Sequence, residues 1–76
     1  MTHSFTLRID ARSGVSDHMA ESVYAIASDV TLYSLPGGTF ADVDREATSR
    51  EEAIASAIGD IRSAGYVAEL VEDPAT

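Results

Sequence analysis

Thr31-Leu32-Tyr33-Ser34-Leu35-Pro36-Gly37-Gly38-Thr39-Phe40-Ala41-Asp42-Val43-Asp44 reads as two short extended runs joined by a tight Pro-Gly-Gly connection. The first run is rich in strand-favouring residues. In the second, Thr39, Ala41 and Val43 alternate with Phe40, Asp42 and Asp44, the period of two that sends alternate side chains to opposite faces of a sheet. The small set is expected to face inward, leaving Phe40 and two carboxylates outside. A hairpin placed mid-chain leaves one segment on each side to complete the fold.

On the N-terminal side, Phe5, Leu7 and Ile9 alternate with Thr6, Arg8 and Asp10, predicting a strand over 4–10. A turn containing Gly14 follows, and Ser16 or Asp17 is placed to cap a helix over 17–29. Met19, Val23, Ile26 and Val30 recur at helical spacing with Ala20, Tyr24 and Ala27 beside them, while Asp17, Glu21 and Asp29 fall mostly on the other side. On the C-terminal side, Thr48 with Glu51 and Ser49 with Glu52 both match the capping box that satisfies free N–H groups at a helix start. Ala53, Ile54, Ala57, Ile58, Ile61 and Ala64 form an apolar stripe along a helix over 49–64, and Gly65 stands where a left-handed C-terminal cap belongs. A last strand is expected over 66–72, closed by Glu72-Asp73-Pro74. Val67, Ala68, Leu70 and Val71 do not alternate cleanly, so its faces stay unassigned.

The order βαββαβ, with strands expected at 4–10, 31–35, 39–45 and 66–72, predicts one α+β domain over residues 1–76. It is expected to be a ferredoxin-like two-layer sandwich, a four-stranded antiparallel sheet with two helices on one face. The opposite face then presents Thr6, Arg8, Phe40, Asp42 and Asp44. Of these, Arg8, Phe40, Asp42 and Asp44 are the candidate interface.

Charge narrows the function classes. Thirteen acidic residues stand against five arginines, with no lysine, asparagine or glutamine, for a net charge of −8. Phosphate backbones and anionic membranes repel such a surface, so no direct nucleic-acid or membrane binding is expected. With 45% apolar and 24% charged residues the chain reads as globular, and without cysteine it has neither disulfides nor a thiolate zinc site. No apolar run approaches the roughly 20 residues that span a bilayer, and residues 1–5 lack the regions of a secretory signal. A cytoplasmic protein is the expectation.

Catalytic constellations are sparse. His18 and Glu21 share a helical face, yet catalytic zinc takes at least three protein ligands, and no third is evident; no metal and no cofactor are predicted. Asp42 and Asp44 invite an acid–base reading, with His18 as a further member of a small enzyme. Acidic residues alternating on an exposed strand are more simply solvation and edge protection, with Arg45 or Arg8 as their ion-pair partners, and no catalytic residue is assigned. Leu35-Pro36-Gly37-Gly38 reads as a turn rather than a phosphate cradle. Phe40 and Tyr66 evoke a base-stacking platform, but the surrounding charge has the wrong sign.

Asp44-Arg45-Glu46-Ala47, followed by Ser49-Arg50-Glu51-Glu52-Ala53-Ile54-Ala55-Ser56-Ala57-Ile58-Gly59-Asp60-Ile61, resembles a family of small actinobacterial helix-turn-helix proteins. The likeness covers residues 40–73 well and the first half in outline. It implies an N-terminal sensory, docking or dimerising domain that precedes DNA-binding helices. Here the sequence ends at Thr76 after Val71-Glu72-Asp73, before any recognition helix. Both a piece of a longer regulator and a stand-alone form without DNA contact fit, and no functional residue is carried over. The leading expectation is therefore a non-enzymatic, regulatory interaction module that forms a homodimer, or binds another protein, through its open sheet face or an edge strand. The alternative is a small-molecule sensor resembling ACT domains, with Gly14 at the ligand position.

Overall fold

The computed structural model describes residues 1–10 and 16–71. Its elements are β1 (Thr2–Ile9), α1 (Asp17–Ile26), β2 (Val30–Leu35), β3 (Gly38–Glu46), α2 (Arg50–Ser63) and β4 (Ala68–Leu70). The fold is α+β: one open four-stranded sheet in the order β2-β3-β1-β4, with every neighbouring pair antiparallel, and two helices. Central β1 and β3 run in register with Phe5 opposite Val43 and Leu7 opposite Ala41. The hairpin closes with Leu35 opposite Gly38, so Pro36 and Gly37 alone make the turn. Gly38 has a φ of +145°, a backbone conformation that a side chain resists and glycine accepts.

Alternation along the strands decides which face is covered. Phe5, Leu7 and Ile9 from β1, Ala41 and Val43 from β3 and Val30 and Leu32 from β2 are buried in one cluster. Met19 and Val23 from α1, with Ala27 just beyond it, and Ala53, Ala57 and Ile61 from α2 complete that cluster. Both helices therefore pack on one side, α1 beside β2 and α2 across β1, β3 and β4. Alanine dominates the buried side of α2, and its small side chain lets the helix axis approach the sheet closely. At about 25 cal/mol per Å² of apolar surface removed from water, each fully buried Leu or Ile contributes about 1.5–3 kcal/mol.

Helix ends follow the local chemistry. Ser16, not Asp17, caps α1, its hydroxyl accepting from the amide of Met19 at 3.2 Å. Ser49 caps α2, accepting from Glu52 N–H at 3.1 Å. The Glu52 carboxylate accepts a hydrogen bond from the hydroxyl of the other candidate, Thr48. At the far end Tyr66 N–H reaches the Ile61 carbonyl at 3.1 Å and Gly65 N–H that of Arg62 at 2.9 Å, with Gly65 at a φ of +98°. This is a Schellman termination, and it needs the left-handed residue that glycine supplies.

β1 begins at Thr2 rather than 4, and α1 and β4 depart furthest from the sequence reading. α1 stops at Ile26 rather than 29, because Val30 belongs to β2 opposite Val43 and Ala27 has already turned extended. The buried positions are Met19, Val23 and Ala27, four apart, while Ile26 is 46% exposed. β4 is also shorter than 66–72: only Ala68–Leu70 pair along β1. The alternation is visible in that register, with Leu70 opposite Leu7 and Glu69 opposite Arg8. Gly14 and Glu72-Asp73-Pro74 lie outside the described residues.

Arg45 corrects another expectation. It lies on the helix side of β3, away from Asp42 and Asp44, with only 12% of its side chain exposed. Its Nε and Nη2 donate to the two carboxylate oxygens of Asp29, both at 2.8 Å. Nη2 also pairs with Asp60 at 2.9 Å, and Nη1 donates to Ser56 Oγ at 3.1 Å. One planar guanidinium thereby ties β3 to α2 and to the segment between α1 and β2, in the bidentate geometry that arginine alone offers. Hydrogen bonding to Arg45 holds the Asp29 carboxyl below its usual range, and the same contacts raise Arg45.

Candidate interaction surface

The strand residues that alternate with the core form the uncovered face. Extending the pairing registers across the sheet gives ordered rows: Tyr33, Phe40, Arg8 and Glu69 in one, and Thr31, Asp42 and Thr6 in the next. Ser4 with Asp44 and Thr2 with Glu46 continue along β1 and β3. All four sequence-predicted residues, Arg8, Phe40, Asp42 and Asp44, fall on this face.

The face has two unlike ends. At the acidic end each β3 carboxylate receives a hydroxyl from the β1 residue opposite. Thr2 donates to Glu46 at 2.7 Å, Ser4 to Asp44 at 2.6 Å and Thr6 to Asp42 at 2.9 Å. Glu46 also takes the N-terminal ammonium, and these bonds, the ammonium's first and that of Thr2 second, hold its carboxyl below the ordinary range. Cross-strand Ser/Thr–carboxylate pairs of this kind satisfy the sheet surface locally.

The other end is aromatic. Tyr33 stacks on Phe40 with ring centroids 5.7 Å apart and planes 23° from parallel. Phe40 is therefore half-buried rather than fully outside. The Tyr33 hydroxyl donates to Asp42 Oδ1 at 3.1 Å; lost hydration and then that carboxylate hold the phenol above its ordinary range. Sequence reasoning missed this partner and proposed Tyr66, which instead packs against the core. Hairpin arithmetic held the signal, since a register that sets Leu35 opposite Gly38 sets Tyr33 opposite Phe40. Leu35 is 55% exposed and Val67 68% exposed at this end. Beside Gly38 a shallow hollow of about 390 Å³ opens between Arg8, Asp10, Val67 and Glu69. Arg8 leans over it and donates to the Gly37 carbonyl at 3.4 Å.

No family model, curated protein or solved structure matches the chain. Among the described residues no group of three or more histidine, aspartate or glutamate side chains is placed to hold a metal ion, and His18 stands exposed on α1. No helix there is long and apolar enough to cross a membrane.

Proposed function

We propose that this chain is a non-enzymatic interaction module of ferredoxin-like topology that self-associates through the aromatic end of its open sheet face. The strand order, read from the other edge as β4-β1-β3-β2, supports the topology, with one helix following β1 and another following β3. The observation that carries the function is the uncovered Tyr33–Phe40 stack, flanked by exposed Leu35 and by Arg8. Water wets this apolar patch in the monomer, and a second copy removes it from water. Small domains gain the most from such burial, because their own cores are thin. The acidic end stays in solvent, where its carboxylates are hydrated. The likeness to helix-turn-helix regulators extends the proposal to transcription, with the DNA contact made by a linked domain and not by this acidic one.

Sedimentation equilibrium tests the reading. The wild type is expected to associate reversibly in the micromolar range, and Phe40→Asp, which adds a charge inside the patch, is expected to weaken that association by about tenfold or more. A strict monomer at high micromolar concentration overturns it. The hollow beside Gly38 favours a second reading, a small-molecule sensor of ACT-like kind, since its volume lies within the usual range for ligand sites. A rise in melting temperature with one member of a metabolite panel is the result expected of that reading, and no shift across the panel removes it.

A further inference from the structure

The apolar alternation that builds the core has an exception on β3. Its covered side reads Thr39, Ala41 and Val43, and Thr39, 2% exposed, is the one buried polar residue among those described. It stands in the wall of the hollow beside Gly38. A Cβ at position 38 would lie 3.4 Å from Arg8 Nε and 3.8 Å from Nη2, so the bare glycine leaves the guanidinium its place over the hairpin end. Two carboxylates share the hollow with it. Glu69 stands opposite Arg8 in the β1 and β4 register, and Asp10 follows two residues on, its amide donating to the Val67 carbonyl at 2.9 Å. Among the described residues no ion pair joins Arg8 to either acid. The guanidinium instead makes a long bond, 3.4 Å to the Gly37 carbonyl. Exposed Val67 adds an apolar wall.

We propose that this hollow takes a small zwitterion, a carboxylate and an ammonium group on one short apolar framework, with Arg8 receiving the carboxylate and Asp10 and Glu69 the ammonium. The inference rests on the small-molecule reading given above and names its ligand class. Charge selects that class. The hollow sets one arginine against two acids, in a chain of net charge −8. A simple anion meets one favourable group and repulsion from the rest, while a simple cation leaves Arg8 facing a like charge. A zwitterion satisfies both signs and adds no net charge. A guanidinium holds a carboxylate through two parallel N–H bonds, so the long bond to Gly37 gives way to a charge-assisted pair. Thr39 brings a polar side chain to the wall, and Val67 meets the apolar part of the ligand. The volume of about 390 Å³ sits near the small end of the range for ligand sites, roughly 300–1,000 Å³, which suits a molecule of few heavy atoms.

Titration of the nitrogen-labelled chain, followed by amide NMR shifts, tests the assignment. L-leucine, β-alanine and γ-aminobutyrate serve as probes with increasing separation between the two charges. At least one is expected to give saturable shifts centred on the amides of Arg8, Asp10, Gly38 and Glu69. The carboxamide of that probe, which lacks the carboxylate, and its N-acetyl derivative, which lacks the ammonium, are each expected to bind about tenfold more weakly or worse. Arg8→Gln is expected to abolish the preference for the acid over its carboxamide, and Asp10→Asn with Glu69→Gln the preference for the free amine. All three side chains are exposed, and circular dichroism checks that the variants fold. A derivative that binds as tightly as its parent overturns the zwitterion, and binding that survives both variants unchanged overturns the site. If a neutral or singly charged metabolite raises the melting temperature while no zwitterion shifts these amides, the ligand class is wrong and the small-molecule reading stands. If neither set binds, both fall.

Discussion

The same three strands make two opposite surfaces. On one side of β1, Phe5, Leu7 and Ile9 lie beneath two helices; on the other, Ser4, Thr6 and Arg8 meet water. β3 divides likewise, Ala41 and Val43 against Phe40, Asp42 and Asp44. Apart from the Arg45 clamp at its margin, the covered side is joined by contacts with no directional chemistry, so most of its energy lies in volume and fit. The open side is joined by discrete cross-strand bonds, each satisfying one carboxylate beside water, where a hydrogen bond contributes little net stability. Stability is thus concentrated on one face, and the other is free to carry recognition.

The largest effect that sharpens this contrast is expected from Leu7→Ala. Leu7 is wholly buried, and truncation leaves a cavity between the sheet and the helices, at a cost of about 2–5 kcal/mol. Urea denaturation followed by circular dichroism measures it. In a domain this small the upper end of that range unfolds the chain outright.

A smaller loss is expected from Arg45→Ala, which strands two carboxylates at the margin of the core, about 1–3 kcal/mol by the same assay. Its pH dependence has a definite sign. The folded carboxyl of Asp29 titrates below its unfolded value, so its contribution is complete above about pH 4 and fades as pH falls through the lowered folded value. Asp29→Asn is expected to flatten that part of the acid-unfolding curve, and an unchanged curve would show that the ion pair contributes nothing there.

The smallest effect is expected on the open face. Thr6→Ala removes one hydroxyl from Asp42, which keeps the phenol of Tyr33, and stability is expected to stay within about 0.5 kcal/mol of wild type. A loss as large as that of Arg45→Ala would show that the carboxylate pairs are structural and would erase the contrast between the faces.

How much of this was legible beforehand depended on whether the signal was local. Strand alternation in residues 5–9 and 39–43, the Ser49 cap and the Gly65 termination are each written within a few residues, and each appears in the structure. The four candidate interface residues followed from the same alternation. The end of α1 was not legible, because neither glycine nor proline marks it and Val30 fits a helical stripe as well as a strand. Only the tertiary pairing of Val30 with Val43 decides between them. Nor was the Arg45 clamp, whose partners Asp29 and Asp60 are distant in sequence and meet only once both helices are docked. The Tyr24 hydroxyl, which accepts from the Leu32 amide, is of the same kind, a helix side chain whose contact exists only at a sheet edge.

The central claim is that both helices cover one side of the sheet and leave the other bare. Methyl and aromatic NOE spectroscopy on the monomer at low concentration tests it most directly. Contacts are expected from Met19 and Val23 on α1, and from Ala57 and Ile61 on α2, to a single set of strand residues that includes Leu7, Leu32 and Val43, with none to the rings of Tyr33 or Phe40. Contacts from either helix to those two rings would contradict the account.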